Sequence, residues 1–225
     1  MSRKLLTFIG ILSSLVIVLL VVYFLPVPEK SFEEQYASVT PETRHSLQAF
    51  RSDHPSKSLE IDGQGWQYIL AGQGERNILF LHGMTGAYDI WWQQIDALDN
   101  RYRIVSVTYP PVDNLEGLAR GVLAILEREG ISKVSVVGSS LGGYLAQYLL
   151  AEHPEMIEKA VFGNTFPPND LIAEKNRTIG SLLPYLPEWL IMRTLRSNIT
   201  DVLYPASVEP EALVQTAIAA LARPA

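Results

Sequence analysis

The spacing of apolar positions changes along the chain, and each change predicts a different kind of element. Residues 5–25 form an uncharged, mostly apolar run of 21 residues, which as a helix would cover about 30 Å. Residues 26–57 are polar and interrupted by prolines, with a short helix predicted from Pro41, capped by Thr40, to about Phe50. From Ser58 the pattern becomes one of short strands, SLEIDG, GWQYILAG and NILFLHG, separated by turns at glycines 63, 65, 72 and 74. A helix over 91–98, the strand RIVSVTY, a helix over about 115–128, the strand KVSVVG, a helix around Leu145 and the strand KAVFGN follow in turn. Strands alternating with helices predict an α/β domain with a mostly parallel sheet covered on both faces. Beyond Pro167 the alternation stops, and short helical pieces broken by Pro184 and Pro187 lead to a last helix beginning near Glu209 or Pro210.

These patterns divide the chain into residues 1–30, a membrane anchor; 31–57, a tether; 58–166, the α/β core; and 167–225, a helical lid segment. Arg3 and Lys4 precede the apolar run, while Glu29, Glu33 and Glu34 follow it, and the run lacks a small-residue cleavage site. This places the N-terminus in the cytoplasm and the domain on the extracytoplasmic side of a single-pass cell-membrane protein. A buried core helix is the plainer alternative, but 21 uncharged residues in succession are rarely hidden in a globular fold. The segment 181–195, SLLPYLPEWLIMRTL, is apolar enough to dip into a bilayer, and a lid whose apolar side covers a pocket is the simpler reading.

Composition narrows the chemistry. The chain has no cysteine, which removes disulfides, thiolate metal sites and a cysteine nucleophile together. Its net charge of −6 comes without a basic patch interleaved with aromatics, so nucleic acid is not an expected partner. The sequons at Asn176 and Asn198 matter only if the host glycosylates exported proteins.

One stretch carries chemistry. In VSVVGSSLGGYLAQYL a strand runs into Gly138-Ser139-Ser140-Leu141-Gly142 and then into a helix. A G-x-S-x-G turn between strand and helix holds its serine exposed, and the helix N-terminus directs amides at the site. Ser140 is the predicted nucleophile, and the amide of Leu141 one predicted oxyanion donor. A second small-residue loop, in LFLHGMTG, brings Gly83 and the amide of Met84 as the other donor. His82 in that loop is read as holding it by hydrogen bonds rather than as the base. Trp91 and Trp92 either line a pocket or bury a helix against the sheet.

An HG loop after one strand and GSSLGG after another resemble the α/β-hydrolase fold superfamily. More narrowly, YRIVSVTYPPVDNLEGLARGVLAILEREGISKVSVVGSSLGGYLAQYLLAEHP, followed by AVFGNTF, resembles maspardin and its relatives. The resemblance implies a serine hydrolase acting on small carboxylic ester or acyl substrates through Ser140, with oxyanion amides near Met84 and Leu141, motif glycines Gly83, Gly138 and Gly142, and a helical lid. It implies no metal and no organic cofactor. The non-catalytic alternative is a maspardin-like binding protein that keeps the fold.

The remaining catalytic groups are not found. In this fold the acid and the histidine follow the serine in the chain. Here only His153 follows Ser140, at the end of the next helix, where capping or surface exposure is the expected role. Asp170 and Asp201 fall in the presumed lid with no strand before them, and Asn164 cannot act as a carboxylate. His45 and His54 belong to the tether and are expected to be solvated. By ordinary element lengths, two strands and two helices, about 60–80 residues, are expected after a lid. The sequence is therefore read either as part of a longer chain or as a shortened form.

Overall fold

The computed structural model describes residues 3–28, 30–169 and 171–203, together with Thr216. The helices are α1 (Arg3–Tyr23), α2 (Phe32–Gln35), α3 (Pro41–Asp53), α4 (Trp92–Leu98), α5 (Leu115–Arg128), α6 (Leu141–Glu152), α7 (Leu171–Leu182) and α8 (Glu188–Leu203). The strands are β1 (Lys57–Ile61), β2 (Gln64–Ala71), β3 (Arg76–Leu81), β4 (Tyr102–Thr108), β5 (Val134–Ser139) and β6 (Ile157–Gly163). The last helix expected near residue 209 lies outside the described residues, apart from Thr216.

Six strands form one sheet in the order β1-β2-β4-β3-β5-β6. The sheet is mixed: β2 pairs antiparallel with both β1 and β4, while the other three pairings, which join β4, β3, β5 and β6, are parallel. The first reversal is local, since Asp62 and Gly63 both have positive φ (54° and 73°), as a two-residue hairpin turn requires. The β2–β4 pairing is remote in sequence and leaves no local mark.

Two cores flank the sheet. Leu118, Val122, Ile125 and Leu126 recur on one face of α5 and pack, with Leu145, Ala146 and Leu149 of α6, on Leu79, Val105 and Val136. Trp66 of β2 lies so close to α5 that a Cβ on Gly121 would stand 1.9 Å from its ring. On the other face, α3 and α4 cover Ile69, Phe80 and Ile104. Residues 31–57 are therefore part of the fold and not a solvated tether. A capping box between Ser31 and Glu34 starts α2, Thr40 caps α3, and Tyr36, Val39, Leu47 and Phe50 are buried. Arg51 ties this segment down through a 2.8 Å ion pair to the fully buried Asp89 and a hydrogen bond to the Tyr36 hydroxyl, which in turn donates to Thr216.

The apolar helix α1 is exposed at each of its described side chains. Leu6–Tyr23 is long and apolar enough to cross a bilayer, a property that a signal sequence near an N-terminus shares.

Candidate active site

The chain reverses its direction of growth across the sheet at β3, whose neighbours are β4 and β5. Ligands of open α/β sheets bind at such a switch point, beyond the carboxyl ends of the strands. Two loops meet there, residues 82–86 after β3 and the turn after β5.

Ser140 sits at the second of these turns with φ 51° and ψ −117°, a backbone conformation that a residue with a Cβ rarely adopts and that costs about 1–3 kcal/mol. The surroundings hold it there. Its N–H donates to the Gly163 carbonyl at the end of β6 (3.1 Å), and its carbonyl accepts from the Thr165 hydroxyl (2.8 Å) and from the Tyr144 N–H (3.0 Å). The Ser140 hydroxyl makes no capping bond to α6. The flanking glycines are required by close approach: a Cβ on Gly138 would lie 2.3 Å from the Gly142 carbonyl oxygen, and one on Gly142 would lie 2.1 Å from that of Leu81. Sequence reasoning missed Thr165, whose only signal is its place just beyond β6. Gln147 secures the same stretch by donating to the Phe166 carbonyl (2.9 Å), and Tyr144 packs on the Phe166 ring.

The loop after β3 passes directly beside this serine. A Cβ on Gly83 would stand 3.3 Å from the Ser140 Cβ and 3.8 Å from its Oγ, a tight contact that would press the serine by a few tenths of an ångström. A turn from the Gly83 carbonyl to the Gly86 N–H (3.0 Å) closes the loop, and Met84 projects at its tip with a side chain 77% exposed. Leu141 opens α6. The two segments that flank Ser140 are thus the ones carrying the amides of Met84 and Leu141.

His82 is buried and engaged at both ring nitrogens. Nε2 accepts from the Tyr109 N–H (3.4 Å), which leaves Nδ1 to carry the proton that it donates to the Gly83 carbonyl. The Tyr109 ring stacks on the imidazole with centroids 4.1 Å apart, and its hydroxyl donates to the His82 carbonyl. Burial pushes that hydroxyl's pKa well above the usual tyrosine range, so it stays protonated as a donor. Tyr109, which sequence reasoning did not single out, is the brace of this loop.

The other candidate groups are dispersed. His153 caps the far end of α6, donating its N–H to the Leu149 carbonyl, with its ring 4.0 Å from Glu155. His45 lies on α3, and His54 ends α3, packed edge-on against Phe50 and 3.9 Å from Asp99, so the latter is not a free solvated side chain. Asn164 has φ 45° immediately after β6. Asp201 lies on α8, and Asp170 lies outside the described residues. Trp92 is buried in the second core and Trp91 packs on Phe80 with centroids 5.2 Å apart, so both bury the segment against the sheet. Among the described residues, no three histidine, aspartate or glutamate side chains gather where a metal ion could be held.

A mixed α/β sheet with a serine at a strained strand-to-helix turn, and a small-residue loop against it, defines a class of architecture rather than an activity. Residues 76–191 match the alpha/beta hydrolase fold family, over half of the chain, and the protein belongs to that family. Maspardin of Rattus norvegicus is 36% identical over 105 residues, 44% of this chain and 40% of that protein. A 2-hydroxy-6-oxononadienedioate/2-hydroxy-6-oxononatrienedioate hydrolase of Paraburkholderia phymatum is 27% identical over 165 residues, 66% of this chain and 57% of that protein. A solved hydrolase from Pseudomonas aeruginosa PA01 superposes with a TM-score of 0.59 at 21% identity, covering 74% of this chain and 72% of that one, and shares the fold. The matched region spans 29% to 40% of the length of the first curated relatives.

Proposed function

We propose that the protein is a membrane-anchored serine hydrolase acting on carboxylic esters or related acyl compounds on the extracytoplasmic side of the cell membrane. Residues 1–30 are its anchor, 58–166 its catalytic core and 167–225 its lid segment. Hydrolase-named relatives and the family's fold support the general class. The observation that carries the finer reading is the positive φ of Ser140 at the β5–α6 turn, held by partners from β6 while its hydroxyl is not spent on capping.

In this reading the Ser140 Oγ attacks the acyl carbonyl, its proton passes to a base, and the amides of Met84 and Leu141 stabilise the oxyanion. The leaving alcohol takes a proton, and water then releases the acid from the acyl-enzyme. Gly83, Gly138 and Gly142 supply the close approach this requires. None of the four histidines suits the role of base: His45 and His54 belong to α3, His153 to the far end of α6, and His82 is committed at both nitrogens. The base and its acid would come from outside these 225 residues.

That same observation favours a second reading, a non-catalytic binding protein on the hydrolase fold, which the maspardin relatives also support. A fluorophosphonate probe tests the nucleophile on which the first reading depends. Labelling of the native protein that is lost in Ser140→Ala is expected of the hydrolase; no labelling, or equal labelling of the variant, refutes the nucleophile and leaves the binding protein.

A further inference from the structure

Among the described residues, the segment from α7 into α8 exposes a run of large apolar side chains. Ile179, Leu182, Leu183, Tyr185 and Leu186 all face solvent, Ile179 at 59% and Tyr185 at 75%. From Thr178 to Met192 only Glu188 is charged, while Arg177 and Arg193 flank the stretch. A contiguous apolar surface of this kind, rimmed by charges, marks an interaction site.

Its neighbour says which kind. The Trp189 indole Nε1 donates to the Val22 carbonyl at 2.8 Å. Val22 lies in the last turn of α1, where helix carbonyls have no partner within the helix. Beside it, Tyr23, Phe24 and Leu25 are also exposed. Where α1 crosses a bilayer, this end emerges at the interface, the layer in which tryptophan and tyrosine concentrate. Leu186 is three residues from Trp189 and so no more than about 10 Å away along the chain. The exposed apolar segment is thus tied, through Trp189, to the exit of the candidate span.

We propose that residues 179–189 are a membrane-seated element, with Ile179, Leu182, Leu183, Tyr185 and Leu186 lodged among the headgroups and upper acyl chains of the bilayer that α1 crosses. The occupant of this surface is a lipid bilayer, and Trp189 is the tie that sets its depth. The inference rests on the anchor proposed for α1.

These 225 residues contain no cysteine, so single nitroxide labels can be placed on the protein of this sequence reconstituted with phosphatidylcholine vesicles. Ile179→Cys and Leu183→Cys report on the segment, Leu12→Cys on the middle of α1, and Gln93→Cys on the exposed side of α4. Oxygen against nickel-chelate accessibility gives the depth of each label. The expected result puts labels 179 and 183 about 5–10 Å into the headgroup and acyl boundary, label 12 near the bilayer centre and label 93 in water. Label 12 in lipid, with 179 and 183 as open to the nickel chelate as 93, overturns the seated element and leaves the anchor standing. Label 12 in water refutes the anchor and, with it, the seated element as proposed.

Discussion

Gly142 and Gly180 are both helical glycines, and the structure assigns them opposite responses to alanine. In an exposed helix the change gains about 0.5–1 kcal/mol, because glycine loses more backbone entropy on folding. Gly180 on α7 has nothing within 4 Å of an added Cβ and should show that gain. At Gly142 the same methyl would stand 2.1 Å from the Leu81 carbonyl oxygen, 2.5 Å from its carbon and 2.7 Å from the His82 carbonyl oxygen. All three are backbone atoms of β3 and its loop, which cannot rotate aside. To reach ordinary contact, α6 must retreat by at least about 1 Å. Overpacking of this kind costs about 1–3 kcal/mol, which outweighs the propensity gain.

Near-UV circular dichroism during thermal unfolding in one detergent measures both variants. At about 2–4 °C per kcal/mol for a chain of this size, Gly142→Ala should melt several degrees below the native protein and Gly180→Ala a degree or more above it. A displacement of about 1 Å at the elbow also carries Ser140 away from the loop of Gly83, and misplacement on that scale is worth about 100-fold in rate. Fluorophosphonate labelling of Gly142→Ala should therefore slow far more than its stability loss explains, while Gly180→Ala labels normally. A Gly142→Ala protein as stable and as reactive as the native one would refute the close packing of β3 against α6 and, with it, the shape of the turn.

Three further outcomes test the frame of the site. Arg51→Met strips the guanidinium from Asp89, whose side chain is fully buried, and should cost about 3–5 kcal/mol by urea unfolding, with Arg51→Met/Asp89→Leu recovering part of it. Burial alone would raise the Glu129 pKa, but hydrogen bonds from Lys57 and Tyr68 and the charges of Lys57 and Arg103 lower it below the ordinary value. Its stabilisation is therefore present above the unfolded carboxylate pKa of about 4.3 and is lost as the pH falls through the lower folded value. The stability deficit of Glu129→Gln should accordingly be largest near pH 7 and shrink in acid. The Tyr68 hydroxyl, pushed up to about 12 by burial and by its bond to Glu129, remains a donor throughout that range. His82→Gln should slow fluorophosphonate labelling without moving its pH midpoint, since both nitrogens brace the loop; a shifted midpoint would make His82 the base after all.

Much of this architecture is legible in the sequence because its causes are local. Asp62-Gly63 dictates a hairpin, the run into Gly138 dictates a strand ending in a tight turn, and Leu118, Val122 and Ile125 give α5 its buried face. What the sequence conceals is pairing over distance. The antiparallel join of β2 to β4 brings Tyr68 opposite Val107, across a stretch in which β3 and α4 intervene, and no local pattern encodes that choice. The packing of residues 31–57 was hidden for another reason: Phe32 and Tyr36, then Leu47 and Phe50, are apolar pairs at helical spacing, but polar and charged residues fill most of the rest of the segment. The spacing was the available signal.

The restraints on Ser140 come from β3, β5, α6 and residues 163–165. None of them depends on a proton acceptor, so the turn is built whether or not a histidine stands over it. This separates two questions that activity measurements merge. A strained serine that reacts slowly with a fluorophosphonate, at a rate that rises smoothly with pH, would be a formed elbow without its base. A serine that reacts rapidly with a midpoint near the histidine range of about 6.5 would be an elbow completed by residues outside these 225, since His82 has no nitrogen to spare. The backbone at Ser140 is the same in both cases, and only the pH dependence distinguishes the hydrolase from a protein that has kept its turn for binding.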